Sequence, residues 1–222
     1  RHGDEGSITE SWKRVAQALA SAEPDPETCA ERFLEILEDF RFLPGGRILA
    51  GAGSGRDVTL FNCFVMGLIE DSLDGIFSAL RESALTMQMG GGIGLDFSTL
   101  RPAGVRTRRV GVIASGPISF MHVWDAMCAT LVSSGNRRGA MMATLRCDHP
   151  DISEFIEAKH DARELRNFNL SVLVSDDLMN AVEQDADWPL VFPAGDIQGD
   201  GETLLRSWGG HPGPVPCRVL RT

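Results

Sequence analysis

The chain has 222 residues, 43% apolar and 23% charged, with a formal net charge of −10. This is the composition of a globular protein long enough to bury a core. It holds no apolar run of about 18 residues that would cross a bilayer, and it lacks the basic field that a nucleic-acid polymer or an acidic membrane surface requires. Arg1-His2-Gly3-Asp4-Glu5 has no apolar segment behind its charges, so it is not read as a signal peptide. A first residue other than Met is expected of a processed chain or a piece of a longer one.

Residues 7–40 predict two amphipathic helices, one striped by Trp12, Val15, Ala16 and Leu19, the other by Phe33, Leu34, Leu37 and Phe40, with Asp25-Pro26 opening the second. Residues 42–55 are punctuated by glycine and predict a loop whose backbone can approach another group closely. Residues 58–66 predict an apolar strand. Leu73, Ile76, Phe77, Leu80, Ala84 and Met87 then recur with helical period, behind Asp71 or Ser72 as cap and before the stop Gly90-Gly91-Gly92. Further strands are expected over 93–97, 140–145 and 170–174. Helices are expected over 116–133, around Ile152, Phe155 and Ile156, and behind Ser175, where Asp176-Asp177 fits capping better than catalysis. Nearly continuous apolar strands alternating with helices predict an α/β protein with a parallel sheet or barrel. After Trp188-Pro189-Leu190-Val191-Phe192 the chain turns Gly- and Pro-rich, with no evident closing element.

Five cysteines, Cys29, Cys63, Cys128, Cys147 and Cys217, lie at wide spacings without a CxxC pair, which predicts buried thiols in a reducing, cytoplasmic protein. Cys63 on its apolar strand reads as a small buried hydrophobe. The five histidines show no metal-ligand spacing, and no metal site is expected. Gly90-Gly91-Gly92-Ile93-Gly94 follows a helix and leads into a strand, the reverse of a phosphate-binding fingerprint, so it reads first as a helix stop. Lys13 and Lys159 are the only lysines, leaving 19 arginines among 21 basic residues. Arg101, Arg106, Arg108 and Arg109 share one loop, and Arg137 and Arg138 another. Each group is either solvated surface or a site for an anionic ligand.

Eight segments resemble, in order, the large subunit of ribonucleotide reductase. They are Phe-Leu-Pro-Gly-Gly-Arg-Ile-Leu-Ala-Gly-Ala-Gly (42–53), Leu-Phe-Asn-Cys-Phe-Val (60–65), Glu-Asp-Ser-Leu-Asp (70–74) and Gly-Gly-Gly-Ile-Gly-Leu-Asp-Phe-Ser-Thr-Leu-Arg-Pro (90–102), followed by Ala-Ser-Gly-Pro-Ile-Ser-Phe-Met (114–121), Arg-Arg-Gly-Ala-Met-Met (137–142), His-Pro-Asp-Ile (149–152) and Asn-Phe-Asn-Leu-Ser-Val (167–172). The resemblance is nearest to the adenosylcobalamin-dependent, class II enzymes. It implies an N-terminal helical segment (1–41) followed by the first half of a ten-stranded α/β barrel, parallel strands with crossover helices (42–222). It implies ribonucleotide reduction to 2′-deoxyribonucleotides by thiyl-radical chemistry, with Cys63 as one of two redox thiols. Gly46, Asn62, Gly92 and Arg137 would face the substrate. Asp71, Ser72, Leu73, Arg101 and Arg108 would bind a deoxynucleotide or ATP effector, and Ser134, Gly135, Asn136, Arg137 and Arg138 would form the specificity loop.

The resemblance further implies adenosylcobalamin, a thioredoxin-type reductant acting through a C-terminal region not in this chain, and a homodimer. The family's radical-carrying Asn-x-Cys-x-Glu motif is absent from the sequence, so the chain is expected to be inactive alone. A non-catalytic nucleotide-binding regulatory module, one half of a split reductase, and a class I enzyme are the competing expectations.

Overall fold

The computed structural model describes residues 5–106, 113–131, 140–195 and 197–221. They divide into two compact units, one running to Cys63 and including 89–91, the other made of 64–88 and the residues from 92 onward.

The first unit is helical: α1 (Ile8–Ala20), α2 (Pro26–Leu37) and α3 (Gly46–Gly51). Ser7 Oγ caps α1 by accepting from the Glu10 amide, and the Glu10 carboxylate reaches back to the Gly6 amide, a reciprocal arrangement that satisfies two orphan donors. Asp25 caps α2 through the Thr28 amide, with Pro26 in the first turn, as expected. Trp12, Val15, Ala16, Leu37 and Ala52 form the core, with Leu19, Phe33 and Leu34 packed on it. The loop expected over 42–55 instead contains α3. Arg47, Leu49 and Ala50 are good helix formers, Ile48 and Leu49 pack on the core, and Arg14 donates to the carbonyls of Leu49 and Ala52 at the helix end. Gly53 stops it at φ +67°, where a Cβ would lie 2.8 Å from Arg14 Cγ. The strand expected over 58–66 is cut to β1 (Cys63–Val65), because Val58 and Leu60 pack against Gly51 of α3 instead.

The second unit alternates helix and strand: α4 (Leu73–Gln88), β2 (Gly92–Asp96), α5 (Gly116–Thr130), β3 (Met141–Arg146), α6 (Ile152–Glu157), β4 (Phe168–Leu173) and α7 (Asp176–Glu183). The sheet order is β1-β2-β3-β4. β2–β3 and β3–β4 are parallel, with Ile93 opposite Met141 and Met141 opposite Phe168. One face carries Ile93, Leu95, Met141, Ala143, Leu145 and Phe168 into the core beneath Met121 and Trp124 of α5. Phe97 packs edge-on to Trp124 and Phe168. The Trp124 indole donates to buried Ser83 Oγ at 3.0 Å, which ties α5 to α4. The opposite face presents small and polar residues, Gly94, Asp96, Thr144, Asn169 and Ser171, beside exposed Met142. Ser175 caps α7 as expected, with Asp176 and Asp177 in its first turn.

The C-terminal segment does close. β5 (Leu190–Pro193), β6 (Thr203–Ser207) and β7 (Pro214–Arg221) form an antiparallel sheet in the order β5-β7-β6 over Val191, Phe192, Ile197, Trp208 and Cys217. Its central strand contains Pro214 and Pro216, residues that normally argue against a central strand.

The two sheets meet at the turn after β3. Asp148, His149 and Asp151 are each at most 3% exposed. Arg146 holds Asp148 through two bonds of 2.8 and 2.7 Å, stacks over Trp208, and donates to the Ser207 carbonyl. Val191 N–H donates to Asp148 O at 2.7 Å, and the His149 ring packs edge-on to Phe192. Burial depresses the His149 pKa to about 4, with Arg146 adding to the drop and the Leu100 carbonyl, Asp148 and Asp96 opposing it. Burial raises the Asp151 carboxyl to about 6, helped by Glu154 and opposed by the Ala103 N–H and Arg221.

These two groups act oppositely on stability. Between pH 7 and 5 the unfolded chain protonates a histidine that buried His149 leaves neutral, so His149 lowers stability on acidification. Folded Asp151 takes up a proton that the unfolded carboxyl does not, so Asp151 raises it. In Asp151→Asn the histidine effect stands alone at about 2 kcal/mol between pH 7 and 5, roughly 4–8 °C in thermal midpoint. The variant should therefore be no less stable than the parent at pH 7 and more acid-sensitive, read from melting curves at the two pH values. Parallel pH dependence of the two proteins would refute the assignment.

Candidate functional site

Four of the residues singled out for a nucleotide effector converge where α4 begins. Ile69 is fully buried and fixes the approach. Ser72 Oγ accepts from the Gly75 amide at 3.0 Å and starts the helix, so Ser72 rather than Asp71 is the cap. Gly75 is required by this turn, since a Cβ there would lie 2.5 Å from Glu70 Cβ. Arg101 arrives from the loop after β2 and folds onto Asp71. Its Nε donates to Asp71 Oδ2 at 2.7 Å, its Nη2 to the Asp71 carbonyl at 3.0 Å, and its backbone N–H to Oδ1 at 3.3 Å. Asp71 and Arg101 thus bind each other, with the start of α4 beside them and Leu73 exposed. An arginine at the start of a helix supplies a positive field and N–H donors suited to phosphate.

Beyond Arg101 the chain runs out through Gly104 and Val105, paired with Ala114, to Arg106 opposite Ile113. Arg108 lies outside the described residues, as do Ser134, Gly135, Asn136, Arg137 and Arg138.

Of the residues assigned to the substrate, Gly46, Asn62 and Cys63 belong to the first unit and Gly92 to the second. Cys63 opens β1 and is exposed, which corrects its reading as a buried hydrophobe. A thiol that must meet a substrate and a second thiol has to be accessible. Cys128, Cys147 and Cys217 are buried. Asn62 is exposed, and Gly46 begins α3 with open space, nothing within 4 Å, where a Cβ would point. Gly92 begins β2, half-buried. α4 ends at Gln88, and Gly90 adopts φ +89°, so this glycine run does stop a helix.

Sequence reasoning missed three residues here. Arg47 donates Nη2 to the Gly90 carbonyl and fills the space a side chain at 90 would occupy. His149 and Asp151 were visible only as parts of the His-Pro-Asp-Ile segment. Their signal was a His and an Asp flanking a proline just beyond the end of an expected strand. Among the described residues no group of three or more His, Cys, Asp or Glu side chains is arranged to hold a metal ion.

Residues 3–57 match the all-alpha domain of ribonucleotide reductase, and residues 61–209 match its barrel domain. The chain is 41% identical over 202 residues to the vitamin B12-dependent ribonucleoside-diphosphate reductase of Mycobacterium tuberculosis (strain CDC 1551 / Oshkosh), an alignment covering 86% of this chain and 29% of that protein. It is 39% identical over 163 residues to the protein of the same name from Thermoplasma acidophilum, covering 73% and 21% respectively. It is 27% identical over 186 residues to the ribonucleoside-diphosphate reductase subunit alpha of Chlamydia trachomatis serovar D, covering 82% and 18%. The chain therefore spans less than a third of the length of these relatives.

The Asp71 and Arg101 side chains are 21% and 23% exposed, so their pairing is partly screened by water. Asp71→Ala should lower the stability of the chain by only about 1 kcal/mol in urea unfolding. A loss above about 3 kcal/mol would mark the pair as structural in the manner of a buried ion pair.

Proposed function

The chain belongs to the ribonucleotide reductase large-subunit family, and on that premise we propose that it is the N-terminal part of an adenosylcobalamin-dependent ribonucleoside-diphosphate reductase. The observation that carries the reading is the pair of consecutive domain matches, all-alpha over 3–57 and barrel over 61–209. Identities of 39–41% to reductases named as vitamin B12-dependent, against 27% to a subunit alpha, favour cobalamin over a separate radical-generating subunit. Residues 1–41 then form a helical lead-in, and 42–222 contribute to the first half of a ten-stranded barrel. The small and polar sheet face of Gly94, Asp96, Thr144, Asn169 and Ser171 suits a barrel interior that admits a nucleotide.

In the proposed reaction a ribonucleoside diphosphate and two thiols give a 2′-deoxyribonucleoside diphosphate, a disulfide and water. Cys63 is one of the thiols: it gives up its proton and one electron as the 2′-hydroxyl leaves, and it ends bonded to a second sulfur. Gly46, Asn62 and Gly92, with Arg137, bind the substrate. Asp71, Ser72, Leu73 and Arg101, with Arg108, bind a deoxynucleotide or ATP effector, and residues 134–138 relay its identity to the substrate base. When bound, adenosylcobalamin supplies the radical. A thioredoxin-type reductant reopens the disulfide. Leu73 and Phe77, exposed one turn apart on α4, offer an apolar patch for a homodimer beside the effector site. The whole enzyme acts in the cytoplasm, where thiols stay reduced.

In the full-length reductase Cys63→Ser should abolish multiple turnover with a dithiol reductant, and wild-type turnover would refute the role. The full-length protein should convert CDP to dCDP with adenosylcobalamin and no second subunit. The 222-residue chain alone should produce no dCDP under the same conditions. Turnover that required a second subunit would favour the class I alternative.

A further inference from the structure

We propose that His149 and Asp151 are positioning residues of the effector site: they grip the chain on both sides of Arg101 and so set effector affinity without touching the ligand. The inference rests on the reading of Asp71 and Arg101 as effector-binding.

Residues 99–103 belong to no helix or strand. They are held at four points. Thr99 Oγ1 donates to the Ile69 carbonyl at 2.6 Å, and Arg101 pairs with Asp71. The other two holds come from the turn after β3: His149 Nε2 bonds the Leu100 carbonyl at 2.9 Å, and Asp151 Oδ2 accepts from the Ala103 N–H at 2.8 Å. One grips the residue just before Arg101, the other the second residue after it.

The chemistry of both holds is directional. The Asp151 backbone N–H donates to His149 Nδ1 at 3.0 Å, so Nδ1 carries the lone pair and Nε2 the proton that Leu100 accepts. The ring is completely buried and neutral, fixed in that tautomer from both sides. Asp151 sits at the cap position of α6, where its carboxylate would normally bond the first helical amides. It makes no such bond and reaches across to Ala103 instead. Gly116 at the start of α5 leaves room for this contact. Its φ is +79°, and a Cβ would lie 2.7 Å from Asp151 Oδ2 and 2.9 Å from Ala103 N.

A buried carboxylate accepting one backbone N–H is a costly way to pack a helix end. It does fix a loop, because opening the bond would strand the Ala103 N–H and its acceptor oxygen away from water. A loop already fixed loses less freedom when an anion binds Arg101, and affinity rises accordingly.

The test is the dissociation constant of dTTP on the full-length reductase, measured by equilibrium binding on four variants. Arg101→Ala reports on the underlying reading: an unchanged constant there means that Arg101 is not an effector residue, whatever the other variants do. With Arg101→Ala weakened, Asp151→Ala should raise the constant about tenfold, and Asp151→Asn, which keeps the acceptor oxygen, should stay within about twofold of the parent. Trp124→Phe, which removes the buried bond to Ser83 and none of the four holds, should lower the thermal midpoint without moving the constant. An unchanged constant in Asp151→Ala, or equal weakening by Trp124→Phe, overturns the proposal. Should Asp151→Ala fail to fold, His149→Asn decides. Its amide oxygen can take the Asp151 N–H but its side chain is too short for Leu100, so a raised constant supports the proposal and an unchanged one overturns it.

Discussion

The second unit depends on burying charge at the end of β3. Asp148, His149 and Asp151 leave water almost completely within four residues, and each must then be satisfied from inside the protein. The satisfaction comes from Arg146 on the same strand and from distant parts of the chain: the Val191 N–H on β5, the Leu100 carbonyl and the Ala103 N–H. A parallel sheet alone does not dictate where the loop after β2 lies or where an antiparallel sheet docks. This turn dictates both, because any other placement would strand a buried donor or acceptor.

Much of this was legible in the sequence, and the limits have physical causes. Helical period announces α1, α2 and α4 because one face of each is buried and the other wet. β2, β3 and β4 are short, apolar and separated by helices, as parallel strands are. Two readings failed where a local pattern was overridden by packing. Glycines around Arg47-Ile48-Leu49-Ala50 look like a loop until Ile48 and Leu49 find a helical core. The apolar run 58–66 looks like one strand until Val58 and Leu60 are drawn to α3. The C-terminal sheet was invisible because prolines occupy its central strand.

The candidate sites divide the same way. Cys63 gave no local signal of chemistry. A cysteine on an apolar strand is ordinarily buried, and only the family resemblance singled it out, with its exposure then seen in the fold. Asp71 and Arg101 are 30 residues apart, and no spacing rule joins them; the loop after β2 brings them within 2.7 Å. His149 and Asp151 belong to a motif that could be recognised but not interpreted, because the atoms they serve lie about 50 residues earlier in sequence.

The Asp71–Arg101 pair also shapes how an anion would be recognised. In a chain of net charge −10 an arginine at a helix start finds a carboxylate nearby, and here two of its donor nitrogens, Nε and Nη2, are directed at Asp71. A phosphate approaching Arg101 meets a guanidinium whose plane and position Asp71 has already set. It bonds the donors that point away, without first having to order a flexible side chain. The carboxylate weakens the attraction for any stray anion, so a ligand must also offer groups that Asp71 can accept from. A sugar hydroxyl next to a phosphate meets both demands and inorganic phosphate meets one. In the proposed effector role the pairing would favour nucleotides over simple anions, and the sharpness of that preference would depend on how firmly the loop beneath Arg101 is held.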